Sequence, residues 1–244
     1  MSFERPCDAA TARRAVACLD LTALGDDADA AGARDLAARG RAAGVAAVCV
    51  WPRFVGEVKP LLAGSDVRLA TVANFPSGSD DIAAAADEVQ AAFTAGADEV
   101  DVVAPIEAIL AGDVGLVEEL VELCVAERPP GGTLKLILET GRLEDPAVVT
   151  AAARAAVMAG VDMLKTSTGK AAVGATPEAA ATLLAVIAEA GGRVGLKVAG
   201  GITTPAEAAG YLALADERMG AGWAMPATFR IGASSLLDGL VAHL

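Results

Sequence analysis

The chain contains fourteen arginines but only five lysines: Lys59, Lys135, Lys165, Lys170 and Lys197. Arginine stays charged at any working pH, whereas lysine can lose its proton and become a nucleophile. Two of the five end short apolar runs, Val161-Asp162-Met163-Leu164-Lys165 and Val194-Gly195-Leu196-Lys197. A free lysine has a pKa near ~10.4, so at pH 7 only about one in a few thousand is neutral. Lowering that to about 7 or 8 takes roughly 3–4 kcal/mol of destabilisation of the ammonium. A second ammonium at about 6 Å supplies on the order of 3 kcal/mol at an effective dielectric of ~20. Burial disfavours the charge further. A lysine pair therefore suits attack on a carbonyl to form an imine, one amine attacking and the other holding its pKa down. A carboxylate must move the protons, and Asp101, within Glu99-Val100-Asp101-Val102-Val103, is the candidate.

Other chemistries are poorly supplied. His243, next to the C-terminus, is the single histidine, which leaves no residue for His–Asp–Ser triads, HExxH zinc sites or histidine proton shuttles. The four cysteines (Cys7, Cys18, Cys49, Cys124) have no CxxC spacing, so reduced thiols in a cytosolic protein are expected, and no metal or other cofactor is implied. A formal net charge of −13 opposes nucleic-acid binding, so an anionic small substrate would need a locally positive pocket. No apolar run approaches the ~20 residues that span a bilayer, and the first residues lack the apolar stretch of a secretory signal.

Three glycine- and hydroxyl-rich segments look suited to phosphate. They are Thr166-Ser167-Thr168-Gly169-Lys170, Ala199-Gly200-Gly201 and Gly232-Ala233-Ser234-Ser235, the last leading into the apolar start of a short helix. Backbone N–H groups at such turns and helix starts bind anions.

These residues must be positioned by regular elements, and the chain repeats one unit. Alanine-rich helical stretches end in glycine and an apolar strand follows, at Gly44-Val45, Gly96-Ala97 and Gly160-Val161. Glycine supplies the left-handed helix cap, and the apolar run fits a buried parallel strand. Thr176-Pro177 and Thr204-Pro205 mark helix starts with an N-cap threonine before a first-turn proline. Eight strands are expected at 16–22, 45–50, 68–74, 98–103, 134–139, 161–166, 194–199 and 228–233. Eight strand–helix units over 244 residues, with no linker, point to an α/β fold and a single (β/α)₈ TIM barrel spanning 1–244. Active sites of such barrels lie at the C-terminal strand ends. Asp20, Cys49, Asn74, Asp101, Glu139, Lys165 and Lys197 all fall there, with Lys165 and Lys197 on neighbouring strands. Strand parity also turns Glu99 and Lys135 inward from adjacent strands, where they should pair.

At these residues the chain resembles the deoxyribose-phosphate aldolase family. The likeness is carried by Leu19-Asp20-Leu21-Thr22, Cys49-Val50-Trp51-Pro52, Thr71-Val72-Ala73-Asn74-Phe75-Pro76, Asp98-Glu99-Val100-Asp101, Leu138-Glu139-Thr140-Gly141, Lys165-Thr166-Ser167-Thr168-Gly169-Lys170, Gly195-Leu196-Lys197 and Gly232-Ala233-Ser234-Ser235. The resemblance implies a metal-free class I aldolase that cleaves 2-deoxy-D-ribose 5-phosphate reversibly to D-glyceraldehyde 3-phosphate and acetaldehyde. It gives Lys165 the imine, Lys197 the control of its pKa, and Asp101 the proton transfers through an ordered water. It makes Asp20 and Cys49 supports of the polar end of the site, with Thr168 beside them. Gly169, Lys170, Gly200, Gly201, Ser234 and Ser235 correspond to phosphate contacts. The chain departs from the family after the glycine pair, where Ile202-Thr203-Thr204 replaces a customary basic residue at the expense of a phosphate contact. Val198 replaces the usual Ala or Pro. Two other readings stay open: a related class I aldolase less dependent on phosphate, and a non-catalytic sugar-phosphate sensor, which would have no use for paired lysines. The oligomeric state is not fixed by the sequence. A homo-oligomer, most simply a dimer, is the working expectation.

Overall fold

A computed structural model describes residues 3–244. Eight parallel strands close a barrel in chain order. They are β1 (Leu19–Ala23), β2 (Ala47–Val50), β3 (Arg68–Ala73), β4 (Glu99–Val103), β5 (Thr133–Ile137), β6 (Met163–Lys165), β7 (Gly195–Ala199) and β8 (Phe229–Ala233). Around them run α1 (Ala9–Ala17), α2 (Ala30–Ala43), the single turn α3 (Val55–Val58), α4 (Ile82–Thr94), α5 (Ile106–Leu110), α6 (Gly115–Ala126), α7 (Pro146–Met158), α8 (Pro177–Glu189), α9 (Pro205–Met219) and α10 (Leu236–Val241).

The helix boundaries follow their chemistry. The Thr176 side chain accepts the Ala179 N–H at the start of α8. At α9, Thr204 and Glu207 form a reciprocal capping box, which satisfies backbone donors that the first turn leaves unpaired. Gly44 closes α2 in the left-handed conformation at φ 67°. The repeated Gly-x-Asp after the helices has a further use. Asp98 accepts the Leu69 N–H at 2.9 Å, and Asp162 accepts the Leu134 N–H at 2.7 Å. Each thereby ties its own strand's start to the preceding strand.

All eight strands are shorter than expected, β1, β2 and β6 by two residues or more. The first begins at Leu19 rather than 16, because Ala12, Ala15 and Val16 share one buried face of α1. The sixth is reduced from 161–166 to Met163–Lys165, since Asp162 is engaged at the barrel floor through its side chain.

Residues of opposite parity divide the packing. Leu134 and Leu136 of β5 are fully buried in the main apolar core, where each such side chain contributes roughly 1.5–3 kcal/mol. Inside the barrel the lining is split. On one side Ala47, Cys49, Ala70 and Val72 join Leu24 in an apolar cluster flanked by Trp51 and Phe75. On the other, β4 to β8 and β1 contribute buried charges: Glu99, Asp101, Lys135, Lys165, Lys197, Arg230 and Asp20.

Candidate active site

Strand register brings the charges together. Lys165 of β6 pairs with Lys197 of β7, and Lys197 with Arg230 of β8. Asp101 of β4 pairs with Lys135 of β5. In a parallel ladder, partners point to the same face, so inward parity on one strand enforces it on the next. Gly232 makes room for this row: a Cβ there would stand 3.0 Å from Lys197 Cε.

Asp101 is the hub. Its Oδ1 accepts from Lys135 Nζ at 2.8 Å, and its Oδ2 accepts from both Lys165 Nζ and Lys197 Nζ at 2.8 Å. Lys197 Nζ also lies 2.5 Å from Asp20 Oδ2. The expected inward pairing of Glu99 with Lys135 is present at 2.6 Å. Arg230, which the sequence reading did not single out, donates to Asp20 Oδ1 at 2.7 Å and to Glu99 Oε1 at 2.8 Å. The available signal was an arginine of inward parity in the apolar run Phe229-Arg230-Ile231. A search for lysine nucleophiles passes over it.

The two lysines are therefore not a bare ammonium pair, because a shared carboxylate oxygen stands between them. Burial is the largest influence on Lys165, driving its pKa below the ordinary lysine value. Asp101 opposes this and Lys197 reinforces it. For Lys197 burial acts in the same direction, but Asp101 and Asp20 outweigh it and the pKa is raised. Burial alone would raise Asp101, yet Lys135, Lys165 and Lys197 hold it well below the usual carboxylate range. Asp20 and Glu99 are lowered against burial by their cationic neighbours in the same way. Lys135 and Arg230 are raised by theirs. Among the four buried cations, Lys165 alone is shifted toward the neutral form.

The site opens as a cavity of about 270 Å³, with Lys165 and Lys197 at its base and Thr22, Leu24 and Ala199 on its walls. Asp20 and Asp101, both fully buried, stand behind the lysines. Cys49 packs with the apolar half of the barrel and borders the charged cluster, close enough for Lys197, Asp101 and Lys165 to act on its thiol. Burial pushes its thiol up to about 11, so it is a neutral wall and not a proton donor near pH 7.

Thr168 lines the cavity, and its hydroxyl donates to Glu139 while accepting the Lys170 N–H at 3.0 Å. Glu139 holds φ at 50° just beyond β5, a left-handed conformation costly for a non-glycine residue. It thereby aims its carboxylate at the loop after β6. That loop approaches the glycine pair closely, for a Cβ on Gly200 would come within 2.9 Å of Gly174 Cα.

The expected phosphate residues are gathered only in part. Gly169, Lys170, Gly200, Gly201 and Ser234 border the cavity. Ser235 is exposed at the start of α10 and does not border it. Lys170 Nζ is paired with Asp26 at 2.6 Å and lies 6.0 Å from the Trp51 ring. Thr203 reaches the cavity, but its N–H donates to Glu207 Oε2 at 2.9 Å.

Comparison with known proteins agrees with this architecture. A DeoC/LacD family aldolase model matches residues 14–240. A protein from Toxoplasma gondii, provisionally assigned as a deoxyribose-phosphate aldolase, superposes with a TM-score of 0.86 at 23% identity, over 96% of this chain and 93% of that one. At that identity the likeness speaks for the fold alone. A protein with the same provisional assignment from Coccidioides immitis gives a TM-score of 0.82 at 25% identity, over 97% and 88% of the two chains. The tetrameric deoxyribose phosphate aldolase of Aeropyrum pernix gives 0.78 at 25%, over 95% and 91%. With a family match running through all eight strands, this chain belongs to the DeoC/LacD family of aldolases.

Proposed function

We propose that this aldolase cleaves 2-deoxy-D-ribose 5-phosphate reversibly to D-glyceraldehyde 3-phosphate and acetaldehyde through an imine on Lys165. The observation that carries the reading is the position of Lys165 as the excess cation of a buried cluster. Four buried cations (Lys135, Lys165, Lys197, Arg230) are linked to three carboxylates (Asp20, Glu99, Asp101) by ion pairs, with the half-exposed Arg68 at the edge of Glu99. An unbalanced charge in a low-dielectric interior is costly, and the cluster becomes neutral when one lysine gives up its proton. Lys165 borders the cavity and is the one whose ammonium is destabilised.

Neutral Lys165 attacks C1 of the open-chain sugar, and loss of water from the carbinolamine leaves a protonated imine. Removal of the C3 hydroxyl proton breaks the C2–C3 bond, and its electron pair flows into the iminium to give the enamine. Glyceraldehyde 3-phosphate departs. Protonation of the enamine carbon and hydrolysis then release acetaldehyde and restore the amine. Asp101 is held too acidic to act as an isolated base, so the proton transfers fall to Asp101 and Lys197 as one hydrogen-bonded unit, through a water at the cavity base. The test is a cleavage assay that follows both products. Wild type should release acetaldehyde and glyceraldehyde 3-phosphate in equal amounts, and Lys165→Leu neither; turnover in Lys165→Leu comparable to wild type would refute the role of that lysine.

A second reading, a class I aldolase less dependent on phosphate, is favoured by two contacts. Lys170 is already paired with Asp26, and Thr203 with Glu207. Comparing kcat/KM for 2-deoxyribose and its 5-phosphate separates the readings: a large preference for the phosphate supports the first, near-equality the second.

A further inference from the structure

We propose that Arg230 is a positioning residue of this site: its guanidinium bridges Asp20 and Glu99 and supplies the fourth buried cation, which obliges Lys165 to be the lysine without a proton. The inference rests on the imine reading and extends it to a residue that touches neither substrate nor Lys165.

Arg230 is 6% exposed, and its guanidinium bridges carboxylates on β1 and β4, which are not neighbours in the barrel. Nη1 donates to Asp20 Oδ1 at 2.7 Å and to Glu99 Oε2 at 3.1 Å, while Nη2 donates to Glu99 Oε1 at 2.8 Å. A planar fork with five donors can hold two carboxylates in fixed orientation at once, which an ammonium cannot. Holding Asp20 Oδ1 turns Oδ2 toward Lys197, and Lys197 then remains protonated beside Asp101. Without Arg230, three lysines would face three carboxylates, and the cluster would be neutral only with Lys165 protonated and unreactive.

The other groups around the cluster do not alter this balance. Cys49 on β2 and Cys18 beside β1 are thiols pushed up to about 11 by burial. Arg68 on β3 comes within 3.6 Å of Glu99, but its side chain is 37% exposed, so water screens it. Glu139 beyond β5 is held by the N–H and hydroxyl of Thr168, outside the linked set.

The test is the pH dependence of borohydride trapping of acetaldehyde on Lys165, in wild type and in four variants. Arg230→Gln removes a cation two strands away from Lys165, so the midpoint should move up by about one pH unit, as expected at a strand spacing of about 4.8 Å and an effective dielectric of ~20. Glu99→Gln removes an anion and should move it down by a similar amount. Combining the two substitutions restores a single excess cation and should return the midpoint close to wild type. Arg230→Lys keeps the charge and should keep the midpoint, with slower trapping because the fork is lost. A purely structural arginine would lower the yield without moving midpoints in opposite directions. If Arg230→Gln does not fold, Glu99→Gln and the double variant decide: a Glu99→Gln midpoint at or above that of wild type overturns the proposal. Trapping with unmoved midpoints overturns this inference alone, whereas no trapping on wild-type Lys165 overturns the imine reading and this inference with it.

Discussion

At the scale of single residues, the proposed imine chemistry depends on which lysine is neutral, and Lys197 is the most direct lever. Its ammonium is anchored by Asp20 and Asp101 and remains charged, so it destabilises the neighbouring Lys165 ammonium. Lys197→Leu removes that neighbour and leaves three cations facing three carboxylates. The Lys165 pKa should rise, and residual activity should move to higher pH. Lys197→Arg keeps the charge, but a guanidinium is bulkier and cannot give up a proton at working pH. With Lys197 sharing the proton transfers with Asp101, kcat should fall by about two orders of magnitude or more, within the usual range for acid–base groups. A pH–rate profile for both variants checks this, and an unchanged profile in Lys197→Leu would remove the residue from the mechanism. The placement of both lysines side by side on neighbouring strands was legible in the sequence, because a charged residue ending an apolar strand has few structural uses. The hub role of Asp101 was not, since a single carboxylate oxygen shared by two lysines depends on how deep each strand residue sits. Arg230 escaped for a related reason: its importance lies in charge balance across the barrel, which local spacing does not carry.

At the scale of elements, alternation and capping made the barrel readable. Glycines after helices, threonine–proline helix starts and eight apolar runs each state a local preference, and these preferences agree with one another. The early starts expected for β1 and β6 lie where an apolar residue serves a helix or an aspartate is drawn into a side-chain tie, as at Val16 and Asp162. The α9 capping box offers a test that is independent of catalysis. Thr204 accepts the Glu207 N–H, and the Glu207 carboxylate accepts the Thr204 N–H at 2.9 Å. Thr204→Ala should cost about 1 kcal/mol, lowering Tm by about 2–4 °C in a protein of this size. Because Glu207 also holds the Thr203 N–H at the cavity edge, the same substitution should raise KM more than it lowers kcat. A Tm within half a degree of wild type would mean that the cap contributes little here.

At the scale of the whole molecule, a barrel with a formal net charge of −13 encloses a cation-rich interior. Among the described residues, no helix is long and apolar enough to cross a membrane. The folded pKa values of Asp20, Glu99 and Asp101 all lie below the ordinary carboxylate values. Their unfolded counterparts titrate near ~3.9 for Asp and ~4.3 for Glu. Stability from these groups is therefore fully present above about pH 5 and is lost as the pH falls through the folded values, where unfolding takes up protons. Urea midpoints should be nearly level from pH 7 to 5 and drop steeply below about pH 4. A midpoint still level at pH 3 would show that the buried carboxylates do not control acid stability.

The proposed mechanism turns on Lys165 being the amine that bonds to the substrate carbon. Incubation with acetaldehyde and borohydride, followed by peptide mapping, tests it most directly. One reduced ethyl adduct is expected, on Lys165, with activity lost in proportion to labelling. An adduct mainly on Lys197 or Lys135, or full labelling of Lys165 with activity retained, would contradict it.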